Sequence, residues 1–215
     1  MAVISSADEL RDLLGTPLPR VVAKDRDRLH PVHLDFLRAA PLCLVATSGR
    51  DGTCDVSPKG DPAGSLVHVA DDRTLVLAER PGNRRADGFA NLLENPHVGL
   101  LLVVPGRGDT LRVNGSARLL RTDRLDDPDD PAPAYADALT VRGHRPLVVC
   151  EVRVEQVFFH CSKAFLRSGT WEPDTWRPES VPTRAEIAHA LERADEPIEQ
   201  VRAYYDSPTY GTDLY

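Results

Sequence analysis

The chain has 215 residues, 41% of them hydrophobic and 27% charged, and a formal net charge of -7, as in an ordinary globular protein with a sizeable core. The excess of acidic residues argues against a general nucleic-acid surface, and no apolar run approaches the ~18 residues of a membrane span. The first residues also lack the basic and apolar regions of a signal peptide, so we expect a cytoplasmic protein that binds neither nucleic acid nor membrane.

The first forty residues are predicted to be helical. The run from Ser6 to Glu9 is a capping-box pattern that begins a short helix, which Gly15 ends. A second helical segment is predicted over residues 33–40, immediately before a proline. Residues 1–40 are therefore interpreted as an N-terminal helical segment.

From Leu42 the pattern changes to short β-rich runs separated by turns. The Gly49–Gly52 stretch is typical of a hairpin turn between two of them. The runs cover residues 42–48, 53–57, 66–70, 74–78, 97–104, 110–121 and 145–161. They predict about six mostly antiparallel strands, with one helix over residues 84–94 between the fourth and fifth strands. This order indicates a small β-barrel.

The last part of the chain changes character again. Residues 122–134 are acidic and proline-rich, which predicts a surface excursion before the final strand. Behind that strand we predict a short helical segment at 162–168, a proline-rich stretch at 171–183, a helix at 184–193 and a tyrosine-bearing tail from 197. The interpretation is a barrel domain over residues 41–165 and a C-terminal extension over 166–215 that packs on the barrel or on a dimer partner.

An arginine-rich turn joins a predicted strand to the predicted helix at residues 80–85, which read Arg-Pro-Gly-Asn-Arg-Arg. Free N–H groups and the dipole at a helix start favour a phosphate, and arginine side chains add bidentate hydrogen bonds to it. Asn83 is placed as the N-cap of the helix. The simpler alternative is a turn with solvated arginines, but three arginines so close together on an acidic protein favour an anion site.

A second candidate is the segment from Asp55 to Gly60. Ser57 and Lys59 alternate on one strand face, so both side chains can contact the same ligand. Pro58 between them cannot donate to a ladder and indicates a sheet edge or a bulge. The alternative is a strand end with one exposed lysine.

Other motifs carry less weight. The glycine pattern at 106–111 fails the dinucleotide fingerprint, because the third glycine and the following helix are missing. His30 and His33 have no accompanying carboxylate motif, so we assign no metal site. The four cysteines show neither CxxC nor zinc spacing, which favours reduced thiols. Trp171 and Trp176 either cap a core or flank a planar ligand.

Three stretches taken together resemble one known family. They read "CDVSPKGDPAG", "DDRTLVLAERPGNRRADGFANLLENPHVGLLLVVPGRGDTLRVNGSARL" and "HCSKAFLRSGTW". They are similar to the pyridoxamine 5'-phosphate oxidase-like FMN-binding split-barrel proteins, and more narrowly to a bacterial subgroup of FMN-dependent enzymes. The resemblance covers about residues 30–180. It implies a mainly β fold, a six-stranded antiparallel split β-barrel with flanking helices, that forms a homodimer with FMN at the subunit interface.

The resemblance also implies a set of cofactor-binding residues. In the family a turn that opens the helix grips the FMN phosphate, the 55–59 strand faces the flavin, and a glutamine on the long strand completes the site. Matching positions here are Ser57, Lys59, Arg80, Asn83, Arg84, Arg85, Thr110 and Arg112. The last two replace the glutamine, which is a departure from the family. The closing segment that grips pyridoxal phosphate in the vitamin-synthesising oxidases is also missing, so we do not expect that reaction.

The sequence thus predicts an FMN-dependent oxidoreductase that acts on an unidentified small molecule. Flavin supplies the hydride chemistry, and no acid, base or nucleophile is assigned. The deazaflavin F420 is an alternative cofactor, for which Arg107 and Arg112 leave room. A non-catalytic flavin-, F420- or haem-binding protein for storage or sensing is the alternative function, and a pure interaction module is a third.

Overall fold

A computed structural model describes residues 2–124, 127–212 and 214–215. Its strands are β1 (Leu42–Ser48), β2 (Cys54–Gly60), β3 (Val67–Asp71), β4 (Thr74–Ala78), β5 (His97–Val103), β6 (Thr110–Arg121) and β7 (Val148–His160). They form one sheet in the order β2-β1-β5-β6-β7-β4-β3, and every pairing is antiparallel. Each of the seven predicted runs corresponds to a strand, so the described residues contain seven strands where about six were predicted.

The helices flank this sheet. They are α1 (Ala7–Leu14), α2 (Pro19–Val22), α3 (Pro31–Ala39), α4 (Asp87–Glu94), α5 (Ala132–Ala138), α6 (Lys163–Ser168), α7 (Arg184–Leu191) and α8 (Ile198–Tyr205). The predicted start of α1 is confirmed, because the Ser6 side chain accepts the N–H of Glu9, and Gly15 ends the helix with φ 78°. Helix α5 begins inside the predicted acidic excursion and continues beyond its end; residues 125 and 126 of the excursion fall outside the described chain.

The sheet curls around a single main core. Along β6 the side chains of Leu111, Val113 and Ala117 are buried in this core, and the alternating residues Arg112, Asn114 and Ser116 lie on the outer face. Strands β1, β3, β4, β5 and β7 and helices α3 and α4 contribute further core residues. The curled sheet does not close, since β2 and β3 remain its two edges. The fold is a split β-barrel with flanking helices, as predicted.

Helices α7 and α8 pack against each other around a second, small core. Ala185, Ala188 and Val201 are buried there, and Tyr205 packs on them. Among the described residues no helix is long and apolar enough to cross a bilayer.

Candidate functional site

A cavity of about 570 Å³ lies in the gap between β2 and the end of β4. This volume is within the ~300–1,000 Å³ typical of small-molecule sites. Apolar side chains of Val45, Leu66, Leu77 and Phe89 contribute to its wall, so the cavity continues into the main core. The polar part of the lining comes from β2, from the residues that follow β4 and from the 81–87 turn.

A buried ion pair crosses the gap at one side of the cavity. Arg80 Nε donates to Asp61 Oδ2 at 2.9 Å, and the two side chains are only 13% and 3% exposed. Arg80 Nη2 donates to the carbonyl oxygen of Leu139 at 2.8 Å. The guanidinium is therefore held from two sides, and Arg80 is also one of the residues that line the cavity.

A second ion pair crosses the same gap between Lys59 on β2 and Glu79 just after β4. The Lys59 Nζ atom also lies 4.9 Å from the centre of the Phe89 ring, a distance suited to a cation–π contact. Both side chains of the pair are partly exposed and line the cavity. They can therefore interact with a ligand as well as with each other.

The turn before α4 differs from its predicted form. The helix begins at Asp87 rather than at residue 84, and Ala86 occupies the N-cap position. Arg84 and Ala86 have φ values of 60° and 54°, which a helix cannot include. Asn83 is therefore not the N-cap; its Oδ1 accepts the N–H of Arg85 at 3.1 Å and stabilises the turn.

This left-handed turn leaves the start of α4 without a side-chain cap. The first residues of the helix, Asp87 to Phe89, line the cavity. Uncapped N–H groups and the helix dipole together favour an anion at this position. Two left-handed residues other than glycine in one short turn cost conformational energy, and such strain is concentrated at binding sites.

The two arginines of the turn differ in their surroundings. Arg85 Nε donates to Asp87 Oδ2 at 2.7 Å, and its side chain is 72% exposed. Arg84 forms no ion pair with any residue that the structure describes. It is therefore the cation of this turn that is available to an incoming anion without displacing a carboxylate.

The start of α4 is fixed on the barrel by close packing and by an amide. A Cβ atom on Gly88 would lie 3.2 Å from Thr47 Oγ1, so the helix approaches β1 tightly at this point. One turn later, Asn91 Nδ2 donates to Thr47 Oγ1 at 3.1 Å and to Asp55 Oδ2 at 2.8 Å. The amide of Asn91 thus positions both the helix and a carboxylate of the cavity.

Six of the eight predicted cofactor-binding residues line this cavity: Ser57, Lys59, Arg80, Asn83, Arg84 and Arg85. Thr110 and Arg112 do not. They alternate with the core residues Leu111 and Val113 and so lie on the outer sheet face. There Arg112 Nη2 donates to Gln156 Oε1 at 3.1 Å.

Sequence reasoning missed the acidic half of the site. Four carboxylates, those of Asp55, Asp61, Glu79 and Asp87, line the cavity beside its four cations. The formal charges of the lining therefore balance, and the site is less cationic than the arginine turn suggests. The adjacency of Glu79 and Arg80 was the available signal, but β2 and β4 are not neighbours in the sheet. No local sequence pattern indicates an ion pair across the gap.

The histidine and tryptophan candidates have structural roles. His30 Nδ1 accepts the N–H of Val32, and His33 Nδ1 accepts the N–H of His30, so both cap α3. Within the described ranges no group of residues suited to a metal ion was found. Trp171 Nε1 donates to the carbonyl of Arg107, and the indole stacks on Phe165 outside the cavity lining.

The curled open sheet and its gap, lined by the arginine-bearing turn, define a split-barrel protein. The family profile described as pyridoxamine 5'-phosphate oxidase matches residues 29–161, more than half of the chain. The chain therefore belongs to the pyridoxamine 5'-phosphate oxidase family. No curated protein sequence matches it.

Three solved structures are similar to part of this chain. HupZ of Group A Streptococcus is 21% identical, with a TM-score of 0.48, and the match covers 61% of this chain and 93% of that one. A protein of the pyridoxinephosphate oxidase family from Clostridium acetobutylicum is 15% identical, with a TM-score of 0.42, and the match covers 60% of this chain and 85% of that one. An FMN-binding protein from Syntrophomonas wolfei is 14% identical, with a TM-score of 0.41, and the match covers 60% of this chain and 89% of that one. At these identities the likeness concerns the fold alone.

Proposed function

We propose that this protein is an FMN-dependent oxidoreductase that acts on a small molecule, with FMN in the cavity at the gap of the barrel. The observation that carries the proposal is the uncapped start of α4, which lines the cavity together with Arg84, a cation without an ion-pair partner in the described part of the chain. This combination suits the phosphate of a mononucleotide. Membership of the pyridoxamine 5'-phosphate oxidase family supports the same cofactor.

The residues of the cavity divide into two sets in this proposal. Asn83, Arg84 and Arg85 surround the phosphate, and Arg80 lines the same cavity. Ser57 and Lys59 on β2 face the rest of the cofactor across the cavity. The chain's own residues bind and orient, because the bound flavin supplies the hydride chemistry.

The charge balance of the cavity favours FMN over a deazaflavin with a long acidic tail. Lys59, Arg80 and Arg85 are each paired with a carboxylate, which leaves Arg84 as the cation of the lining without an ion-pair partner among the described residues. One such cation and a helix start suit a single phosphate better than several negative charges. A haem is disfavoured because the described lining contains no His, Cys, Met or Tyr, the usual axial ligands.

A homodimer belongs to the same proposal. Arg112 lies on the outer face of the sheet, away from the cavity of its own chain, and Thr110 near it is buried. Arg112 contributes to a cofactor site only if a second copy places this face beside the gap of the first. An arginine from the second copy would then add to the cations around the cofactor.

The first test is the absorbance spectrum of the purified protein, together with the variant Arg84→Ala/Arg85→Ala. We expect the bands of oxidised flavin in the wild type and their loss in the double variant. Arg121→Ala is the control, because Arg121 is an equally exposed arginine paired with a carboxylate two residues on. Flavin retained at the wild-type level in the double variant contradicts the assignment. Turnover of reduced nicotinamide separates an enzyme from a storage protein.

A further inference from the structure

Tyr215 contacts two residues that line the cavity. Its hydroxyl donates to Asp61 Oδ1 at 2.8 Å, and its ring centre lies 5.4 Å from the Arg80 guanidinium. Asp61 and Arg80 are the two members of the buried ion pair that lines the cavity. Tyr215 itself is not part of the lining.

The ring of Tyr215 also contacts the loop that follows α5. His144 stacks on it with 5.7 Å between ring centres, and Arg142 lies 5.9 Å from its centre. The same loop region supplies the Leu139 carbonyl that binds Arg80. Two segments distant in sequence thus meet at one ion pair.

The carboxylate of Asp61 needs both of its donors. Its side chain is 3% exposed, and a carboxylate buried to this extent is costly unless each oxygen has a partner. Oδ2 accepts from Arg80 and Oδ1 accepts from Tyr215. Burial and the bond to Asp61 raise the pKa of the Tyr215 phenol, so the hydroxyl keeps the proton that it donates.

We propose that Tyr215 is a positioning residue of the ligand site, which orients Arg80 toward the cavity by holding the Asp61 carboxylate. The proposal deepens the proposed function and rests on it for the identity of the ligand. Without the phenol, Asp61 Oδ1 loses its donor and water reaches the ion pair. The Arg80 guanidinium is then no longer held in one orientation. Binding at the cavity and docking of Tyr215 are therefore coupled, and each strengthens the other.

The first experiment compares Tyr215→Phe with the wild type by flavin fluorescence titration of the FMN-free protein. We expect the dissociation constant for FMN to rise about tenfold, as for the loss of one hydrogen bond to a charged group. Tyr210→Phe is the matched control, because Tyr210 packs among Tyr204 and Tyr205 and does not line the cavity. This substitution should leave the dissociation constant for FMN unchanged. Equal affinity of Tyr215→Phe and wild type overturns the proposal.

A double-mutant cycle tests whether Tyr215 acts through Asp61. In the Asp61→Asn background, Tyr215→Phe should change the FMN dissociation constant less than twofold, since the carboxylate that it holds is gone. A full tenfold effect in this background would show that Tyr215 acts by another route. A general packing role predicts equal effects in both backgrounds.

A third measurement needs no FMN, so it separates this inference from the proposed function. Hydrogen–deuterium exchange of residues 78–86 should be faster in FMN-free Tyr215→Phe than in the wild type and unchanged in Tyr210→Phe. If the wild type fails to bind FMN but the exchange effect appears, the proposed cofactor is wrong and the positioning role stands. If the exchange is unchanged, the positioning role is wrong whatever the ligand.

Discussion

The Lys59 ammonium and the Glu79 carboxylate form an ion pair across the gap of the barrel. Lys59 lies on the edge strand β2 and Glu79 follows β4, and the sheet order does not make these strands neighbours. A side-chain contact therefore joins the two sides of the barrel where the hydrogen-bond ladder is interrupted. It does so beside the cavity and the Phe89 ring.

We expect a double-mutant cycle of Lys59→Met and Glu79→Gln to give a coupling of about 1 kcal/mol in the free energy of unfolding, because both side chains are partly exposed. Urea denaturation measures it. The Arg118–Glu151 pair, which spans the hydrogen-bonded strands β6 and β7, is the control. FMN affinity should change in the Lys59 and Glu79 variants and stay constant in the control variants. A coupling near zero would show that the pair does not join the two sides.

Arg84 and Arg85 should contribute unequally to phosphate binding. Arg84→Ala is expected to weaken FMN binding by about 2 kcal/mol, the value of a charge-assisted hydrogen bond. Arg85→Ala should cost about half as much, because Arg85 must share its guanidinium with Asp87. Isothermal titration with FMN measures both, with Arg121→Ala as the control. The reverse order of the two effects would contradict the role given to Arg84.

The stability of the protein should fall in mild acid, in part through His33. Burial, with the charges of His30 and Arg26, lowers the pKa of His33. The unfolded chain therefore takes up the proton first, and stability is lost as the pH falls from the ordinary histidine pKa toward the lowered one. We expect His33→Gln, which keeps a side-chain acceptor at the third helical position, to lose less stability between about pH 7.5 and about pH 5.5.

Urea denaturation at the two pH values provides this measurement, and His97→Gln, at an exposed position, is its control. Burial also lowers the pKa of His68 and of His160, so some pH dependence will remain in the variant. An unchanged loss of stability in His33→Gln would rule out a contribution from His33.

The four thiols should separate into two classes. Burial raises the pKa of Cys43 and of Cys150 to about 12, so neither forms a reactive thiolate near neutral pH. Cys54 and Cys161 are exposed, and the backbone N–H of Lys163 lowers the pKa of Cys161. Titration with Ellman's reagent should modify two thiols in the native protein and four in urea. Cys161→Ser should remove the faster of the two native reactions.

Gly115 should tolerate no side chain. A Cβ atom there would overlap the carbonyl oxygen of Arg153, at the bulge between β6 and β7. Gly115→Ala must move one strand and should cost about 3 kcal/mol of unfolding free energy. Gly211→Ala, where the new atom meets nothing, should change it by less than about 0.5 kcal/mol. Thermal denaturation of both variants tests this, and similar melting temperatures would contradict it.

Local patterns predicted most of the elements correctly. Alternation gave the strands from Leu42 to His160, and the Ser6 cap gave the start of α1. The start of α4 was wrong by three residues, because Arg84 and Ala86 adopt left-handed conformations that nothing in their residue types favours. Here the packing of Gly88 against Thr47 and the helix-stabilising amide of Asn91 determine where the helix begins.

The candidate site was predictable where its residues are close in sequence. The 80–85 turn and the Ser57–Lys59 strand face were found in this way, and the structure brings them to one cavity. The partners of Lys59 and Arg80 were not found, because Glu79 and Asp61 meet them only when the sheet curls. Tyr215 lies 154 residues from Asp61, a distance at which no spacing rule applies.

The gap in the barrel has a consequence for the diversity of the fold. Among the described strands no ladder crosses it, so its width depends on side chains such as Lys59, Asp61, Glu79 and Arg80. Substitutions at these positions can enlarge or narrow the opening while the register of all six strand pairs is preserved. A lineage built on this scaffold can therefore exchange one bound molecule for another without passing through an unfolded ancestor.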